Sequence, residues 1–438
     1  MNWLDVKLGD VAPAESGFGF PREFQGRQEG SIAFYKVGDM NHPANQREMV
    51  VSGNYVDRVT LKRLRAKSFP PGTIIFPKIG AAIATGKKRM LSSEATYDNN
   101  VMGLVPTALV HPSYLYYWTI LFDFTTISNK GPVPSIRKSE IESLPFRLPT
   151  PSEQRRIVDV LDQADALRRR RRAADERAQR ILPALFHKLF GDPVANSKNW
   201  PLEVLDEPTA DFHYGTSARC EKSSDGLPVL RIPNIVRGEL DLGDLKFAQL
   251  PHNEVEALRL EKGDILFVRT NGNPDYVGRC AVFDLEQQYL FASYLIRGRF
   301  NPAKFSPYYL VACLSSPGGR RMMAPAIRTT AGQSNISATG LRRIQVPCPP
   351  LELQAVFAEQ LLDIAQRTKA QRVVGGKLDL LSAVLLHRAF TGELTAKWRE
   401  AHKDQLEVEM QQQLAALERV KAVKPERGRK SKKVTTES

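Results

Sequence analysis

The sequence predicts an α+β protein with two similar mixed α/β domains, separated by two long helices that pack as an antiparallel coiled coil. Three observations support this fold class: a repeat with a period near 200 residues, helix start and stop signals in each copy, and apolar residues at coiled-coil spacing at both ends of each helical segment. A tandem duplication of this size is expected to give a pseudo-twofold arrangement.

The clearest part of the repeat is helical. The segment from Gln154 to Phe190 aligns without gaps on the segment from Gln354 to Phe390. Each segment follows a proline-rich strand end and stops at a glycine, Gly191 or Gly392, which are typical helix boundaries. At about 1.5 Å per residue such a helix spans on the order of 55 Å, far longer than an average globular helix. Two ordinary core helices remain the alternative.

Weaker sequence similarity between the two copies precedes each helix. Trp3 aligns with Trp200, and the strand-like segment Pro71 to Phe76 aligns with Lys262 to Phe267. The offset drifts between these matches, as expected if loops of different length interrupt a shared scaffold. We therefore predict the following division: domain 1 at 1–150, helix 1 at 151–192, domain 2 at 193–350, helix 2 at 351–395, and a tail at 396–438 that is first helical and then basic and disordered.

The chain carries a strong positive charge. Its 62 Lys and Arg residues exceed its 48 Asp and Glu residues, which gives a formal net charge of +14. This balance is typical of proteins that neutralise phosphates. Part of the excess lies in the tail between Arg419 and Lys433, which is typical of a solvated chain end. The run Arg168 to Arg172 is either a solvated helix face or a surface for DNA backbone or an acidic partner.

Other sequence features exclude several classes of protein. The four cysteines form no CxxC or Cys/His pattern, so neither a zinc site nor a disulfide framework is indicated. The chain has no apolar run of the roughly 18 residues that a membrane span requires, and its first residues do not resemble a signal peptide. We therefore expect a cytoplasmic protein without a membrane partner.

Short motifs at corresponding places in the two copies resemble the specificity subunit of type I restriction-modification systems. The motifs that carry this resemblance are Trp3 to Asp10, Trp200 to Glu207, Gly263 to Arg269, Pro349 to Gln354, and Ala389 to Leu394. Their order, their duplication and the alternation of domain and helix make the combination specific. The chain departs from the family pattern in a shortened turn at Pro151 to Gln154 and in a tail beyond Trp398.

The resemblance implies that each domain is a target recognition domain that reads one half of a bipartite double-stranded DNA sequence, while the helices set the spacing. It also implies two DNA methyltransferase (modification) subunits that carry S-adenosylmethionine, and restriction subunits that translocate and cut DNA with ATP and Mg. These cofactors belong to the partners. For this chain we expect no cofactor.

Motifs for chemistry of its own are incomplete in this chain. Asn273 to Tyr276 has Asp where an adenine methyltransferase motif needs a second Pro, and Gly80 to Lys88 has one residue too many for a P-loop. We therefore expect no catalytic, cofactor-binding or metal-binding residue. Two alternatives remain: an enzyme of methyltransferase or nuclease type with degenerate motifs, and a coiled-coil scaffold whose basic charge is incidental.

A protein that reads DNA sequence presents Arg, Lys, Asn, Gln, Ser or Thr side chains to base edges, with further cations on phosphates. The loop Arg269 to Asn273 follows an apolar strand and offers this chemistry, and Lys78 stands at the matching place in the first domain. The full set of candidate DNA-binding residues is Lys36, Lys78, Lys87, Lys88, Arg89, Arg231, Arg269, Thr270, Asn271, Asn273 and Arg279. Ordinary polar loops are the alternative for each of them.

Overall fold

The computed structural model describes residues 3–206, 210–222, 225–236 and 238–423. The chain forms two compact units: unit 1 comprises Met1–Arg169 and Gly375–Ser438, and unit 2 comprises Arg170–Val374. The predicted basic end of the tail, residues 424–438, and Glu207 of the second tryptophan motif lie outside the described residues.

Unit 1 contains short strands, short helices and the segments that follow the second long helix. Its strands are β1 (Leu4–Lys7), β2 (Ala14–Ser16), β3 (Ile32–Tyr35), β4 (Glu48–Met49), β5 (Tyr55–Val56), β6 (Ile74–Pro77), β7 (Arg89–Leu91), β8 (Ala95–Tyr97), β9 (Val101–Leu104) and β10 (Pro145–Leu148). Its shorter helices are α1 (Leu8–Val11), α2 (Arg58–Arg63), α3 (Pro112–Leu121) and α4 (Lys138–Glu142). The first long helix, α5, covers Pro151–Phe190 and continues into unit 2.

Unit 2 contains a similar series of elements with additional strands. Its strands are β11 (Leu202–Val204), β12 (Asp211–Tyr214), β13 (Leu227–Leu230), β14 (Ile235–Val236), β15 (Glu239–Leu240), β16 (Lys246–Ala248), β17 (Ile265–Val268), β18 (Thr270–Asn271), β19 (Cys280–Val282), β20 (Leu290–Phe291), β21 (Leu295–Arg299), β22 (Arg328–Thr330), β23 (Gln333–Asn335) and β24 (Gln345–Pro347). Its shorter helices are α6 (His252–Ala257), α7 (Pro307–Ser315), α8 (Pro317–Met323) and α9 (Ala338–Arg342). The second long helix, α10, covers Leu351–Thr391 and continues into unit 1.

The two units have matching sheets. The main sheet has the strand order β2-β9-β6-β7-β4 in unit 1 and β12-β21-β17-β19 in unit 2. A smaller sheet has the order β5-β3-β8 in one unit and β16-β13-β20 in the other, each with one parallel pair. The first and last strands of each domain pair as β1 with β10 and β11 with β24. The sequence repeat therefore corresponds to two copies of a similar strand topology.

Both long helices end directly before the glycines that the sequence marks as stop signals. Gly191 follows α5 with φ +80°, and Gly392 follows α10 with φ +86°. Glycine adopts this left-handed conformation without the steric cost that a Cβ atom adds, so it terminates a helix favourably. α5 begins at Pro151, where the missing N–H of proline costs nothing because the first helical amides have no partner within the helix.

In unit 1 the early part of α5 packs against the late part of α10. Ile157 and Leu161 share one apolar core with Ala389 and Leu385. Further along α5, Arg168 pairs with Asp379 at 2.8 Å. Residue numbers thus rise along α5 as they fall along α10, so the two helices are antiparallel here.

In unit 2 the late part of α5 packs against the early part of α10. The rings of Phe186 and Phe190 lie 5.8 and 5.4 Å from the ring of Phe357. These aromatic contacts are edge-on, the geometry that the ring quadrupole favours. The predicted fold class, α+β with two similar domains and two long helices, is confirmed. The predicted domain bounds remain a prediction, since each compact unit contains part of both long helices.

Beyond α10 the chain makes a turn over residues 392–395 and is then mostly helical to residue 423. Helices α11 (Ala396–Ala401) and α12 (Lys403–Val423) belong to unit 1, where Leu406, Met410 and Leu417 of α12 are buried. In the described ranges, no helix is both long enough and apolar enough to span a membrane.

Candidate nucleic-acid interface

Arg269 stands at the end of the central strand of unit 2. Its guanidinium lies 4.8 Å from the centre of the Tyr214 ring, and Nη1 donates to the Ser293 carbonyl at 3.2 Å. Its own carbonyl accepts the N–H of Ile336 at 2.9 Å. Because Tyr214 is 42% exposed, this stacked pair reaches the surface. A guanidinium held on an aromatic face keeps further N–H donors for a ligand.

Lys78 occupies the same place in unit 1. Its carbonyl accepts the N–H of Ile136 at 3.0 Å, which reproduces the bond between Arg269 and Ile336. Its Nζ donates to Oγ of Ser16 at 3.0 Å, and burial lowers the pKa of this amine. A lysine in unit 1 and an arginine in unit 2 therefore occupy equivalent backbone positions at the ends of the aligned strands.

The polar residues after Arg269 bond to one another. Oδ1 of Asn271 accepts the N–H of Asn273 at 2.9 Å, and Oδ1 of Asn273 accepts the N–H of Asp275 at 3.0 Å. Thr270 and Asn271 form β18. Since the loop uses both carboxamide oxygens, the side-chain NH₂ groups are the donors that can face a ligand.

Arg279 is anchored next to this loop. Its guanidinium stacks 3.6 Å from the centre of the Tyr276 ring, and Nε donates to the Asp275 carbonyl at 3.0 Å. Arg231 is different, because it donates to both the carboxylate and the carbonyl of Asp244, at 2.8 and 2.9 Å. These contacts lower the pKa of Asp244 and neutralise much of the charge that Arg231 would present to a phosphate.

Two candidate cations of unit 1 donate hydrogen bonds to backbone carbonyls within that unit. Lys88 is 6% exposed, donates to the Phe122 carbonyl at 3.1 Å, and has its pKa lowered by burial. Arg89 donates to the carbonyls of Asn45, Lys88 and Met40. Because these donors already have backbone partners, both residues contribute first to the stability of unit 1.

The remaining candidates of unit 1 are partly accessible. Lys36 donates to Oε1 of Gln25 at 2.9 Å, and Lys87 donates to the side-chain oxygen of Asn41. Both are side-chain to side-chain bonds of half-buried lysines, which a phosphate could replace. DNA contact by the eleven candidate residues remains a prediction.

Sequence reasoning missed a hairpin in unit 2. Strands β22 and β23 pair with each other and then with β18, which forms a three-stranded sheet. Ala331 and Gly332 connect them with φ values of +49° and +77°, the conformation of a tight two-residue hairpin turn. Two polar runs flanking Ala-Gly are the signal for it, but they lack the apolar alternation by which strands are usually detected.

The arginine run on α5 is largely paired with carboxylates. Arg168 pairs with Asp379, Arg169 with Asp165 at 3.0 Å, and Arg171 with Asp175 at 2.7 Å. Such pairs are typical of a solvated helix face. Across the described ranges, no group of three or more His, Cys, Asp or Glu side chains is placed to hold a metal ion.

Comparison with known proteins shows which proteins this chain is similar to. The family described as "Type I restriction modification DNA specificity domain" matches residues 1–174. The specificity subunit of the EcoKI type I restriction enzyme from Escherichia coli K12 is 26% identical over 388 residues, covering 83% of each chain. That of StySPI from Salmonella potsdam is 24% identical and covers 81% of each chain. Over most of its length the chain is thus similar to type I restriction-modification specificity subunits.

Solved structures share the fold. The type I restriction-modification S subunit from M. genitalium superposes with a TM-score of 0.55 at 16% identity, covering 89% of this chain and 96% of that one. A chain from a study of complex assembly and conformational transition of the type I system gives a TM-score of 0.53, also at 16% identity, covering 90% of this chain and 98% of that one.

Proposed function

We propose that this chain is the DNA-reading subunit of a type I restriction-modification complex, in which each domain reads one half of a bipartite double-stranded target. The observation that carries this proposal is the repeated scaffold with different chemistry. Equivalent backbone bonds hold Lys78 in unit 1 and Arg269 in unit 2, so one framework presents different donors to DNA. Two different readers on one framework suit a target with two unlike halves.

The long helices are proposed to set the number of base pairs between the halves. Each is a continuous helix, α5 over 40 residues and α10 over 41 residues. A helix is stiff along its axis, and its length is proportional to its number of residues. This property is what a spacer between two readers needs.

The chain itself is proposed to be non-catalytic, to bind no cofactor, and to direct two modification subunits and the restriction subunits to the target. Gly80–Thr85 forms a 3₁₀ helix, whereas a P-loop opens an α-helix that cradles phosphate. S-adenosylmethionine would be the cofactor of the modification subunits. ATP and Mg would be used by the restriction subunits. The expected location is the cytoplasm, where such a complex meets DNA.

Mapping methylated bases tests the proposal. Cells that produce this chain together with the modification subunit of its own system should acquire methylation at one bipartite sequence, and cells that lack only this chain should not. The same methylation in both strains would contradict the proposal. Methylation of DNA by the purified chain alone would instead support the enzyme alternative.

Salt dependence separates a DNA reader from a scaffold. The complex should bind its target with an affinity that falls steeply and linearly on a plot of log affinity against log salt, because phosphate contacts release counterions. Binding that is indifferent to salt and to sequence would favour the scaffold.

A further inference from the structure

We propose that the hairpin formed by β22 and β23 of unit 2 enters the major groove and reads base pairs of one half-site with its outer face. This inference rests on the proposed function and names residues that sequence reasoning did not select. It follows from strand register, burial and the chemistry of the residues on each face.

Strand register assigns the residues to two faces. Arg328 pairs with Asn335 and Thr330 pairs with Gln333, while Thr270 of β18 also pairs with Asn335. Residues directly opposite each other in neighbouring strands share a face. One face of the sheet therefore carries Arg328, Thr330, Gln333, Asn335 and Thr270.

Burial separates the two faces at β23, whereas all three residues of β22 are exposed. Ser334 on the opposite face is completely buried and its hydroxyl lies 2.7 Å from that of Thr329. Arg328, Thr330 and Gln333 are exposed. Asn335 and Thr270 of the five-residue face are half-buried, and we call this face, which bears the three exposed side chains, the outer face of the hairpin.

The outer face has the chemistry of base reading. An arginine can bond guanine with two parallel hydrogen bonds, glutamine and asparagine can do the same with adenine, and threonine contacts several bases. The side chains of Arg328 and Thr330 make no hydrogen bond or ion pair with the described residues. The contact between Oγ1 of Thr270 and Oε1 of Gln333 is long, at 3.5 Å. These groups are therefore available to DNA without breaking strong internal bonds.

The shape of the hairpin also fits. The major groove of B-DNA is about 12 Å wide and admits a two-stranded β-ribbon. The two-residue turn at Ala331 and Gly332 keeps the tip narrow, and both turn residues are exposed.

Unit 1 differs at the corresponding place. There Asn129 and Ser135 bond to each other through backbone and side chains, and the residues between them form a loop with Lys130 as its cation. A loop of this kind lacks the outer row of donors and acceptors. The hairpin should therefore determine bases in only one half of the target.

The test uses the complex of the full-length chain with its modification subunits, and DNA duplexes in which each target base pair is substituted in turn. Arg328→Ala should bind the target at least about tenfold more weakly and lose discrimination at one base pair of one half-site. Gln333→Ala should relax selectivity at a neighbouring base pair of the same half-site. Arg259→Ala is the matched control. Arg259 is also an exposed arginine, but it lies before the start of β17, whereas β18 and the hairpin follow the end of that strand.

Arg328→Lys separates base reading from phosphate contact. It keeps the charge but loses the paired donors, so it should bind DNA with little loss and still lose discrimination at the same base pair. If Arg328→Ala lowers affinity equally for all sequences while Arg328→Lys behaves as wild type, the hairpin contacts phosphate and base reading is wrong.

Two further outcomes are distinct. If the wild-type complex recognises a bipartite target and all three hairpin variants retain its full specificity, only the inference about the hairpin fails. If the wild-type complex recognises no such target, the proposed function fails. Should Arg328→Ala lower the melting temperature, Arg328→Lys and Gln333→Ala still decide the outcome.

Discussion

Trp3 donates a hydrogen bond from Nε1 to Oε2 of Glu153 at 2.9 Å, which ties the residue before β1 to the first turn of α5. Glu153 is 1% exposed and its other oxygen accepts from Thr395 Oγ1 at 2.6 Å and Arg399 Nε at 2.9 Å. One buried carboxylate therefore connects three parts of the chain that are far apart in sequence. Its counterpart in the repeat is Leu353, so this connection is specific to unit 1.

Glu153→Ala should destabilise unit 1. The substitution leaves the guanidinium of Arg399 and two further donors without their acceptor, and removing one partner of a buried ion pair costs roughly 3 kcal/mol. Denaturant unfolding should show this loss in the free energy of unfolding. Glu352→Ala, which removes an exposed glutamate from the first turn of α10, should stay within about 0.5 kcal/mol of wild type. Equal effects of the two substitutions would contradict this role.

Gln154 and Gln354 make equivalent contacts, so their replacement should have similar effects. Gln154 Nε2 donates to the carbonyls of Leu109 and Pro149, and its Oε1 accepts the N–H of His111. Gln354 does the same with Lys304, Pro349 and Ser306. Both side chains are buried.

Gln154→Ala and Gln354→Ala should each lower stability by about 2–3 kcal/mol, because buried backbone groups lose their partners. Hydrogen exchange should become faster at His111 in the first variant and at Ser306 in the second. Gln163→Ala and Gln360→Ala, at exposed positions of the same two helices, are the controls. Unchanged exchange at both amides would show that the glutamines do not hold these segments.

His111 should make the stability of unit 1 depend on pH. Its Nδ1 accepts the N–H of Ser113 at the start of α3, and burial lowers its pKa below the ordinary value of 6.5, an effect that Asp162 only partly offsets. The unfolded chain therefore takes up the proton first, so stability is full above pH 6.5 and is lost as pH falls toward the folded-state pKa.

His111→Asn provides the comparison, since asparagine can cap the helix without titrating. Between about pH 7.5 and about pH 5 the wild type should lose more stability than His111→Asn. Thermal unfolding across this range measures the difference. Parallel pH profiles would assign the pH dependence to other groups.

Arg269→Ala should weaken target binding by about 1–3 kcal/mol and relax selectivity at one base pair of one half-site. The stacking on Tyr214 orients the guanidinium, so Tyr214→Leu should produce a smaller loss at the same base pair. Methylation-site mapping of each variant checks both expectations. Unchanged specificity of Arg269→Ala would rule out base reading by this residue.

Shortening the long helices should change the spacing of the target. The contact between Phe190 and Phe357 sets the register in which residues 366–372 lie opposite 175–181. Deleting both stretches shortens each helix by about 10 Å and preserves the antiparallel pairing around the deletion. Methylation mapping should then show unchanged half-sites and a shorter gap. An unchanged gap would show that the helices do not set the spacing.

Much of the architecture follows from local pattern. The repeat around Gln154 and Gln354 and the stop signals at Gly191 and Gly392 predict two long helices, because helix boundaries depend on residues close in sequence. The strand segments Pro71 to Phe76 and Lys262 to Phe267 identify the central strands for the same reason. These features therefore needed no knowledge of contacts between distant residues.

The sequence by itself determined the duplication, the helices and the kind of chemistry carried by the loops. Only the tertiary structure decided which cations face outward: Lys88 and Arg89 bond carbonyls inside unit 1, whereas Arg328 is exposed on a polar hairpin. It also brought Thr395 and Arg399 to Glu153. The reason is physical, since burial and hydrogen-bond partners depend on residues far apart in the chain, while helix signals depend on near neighbours.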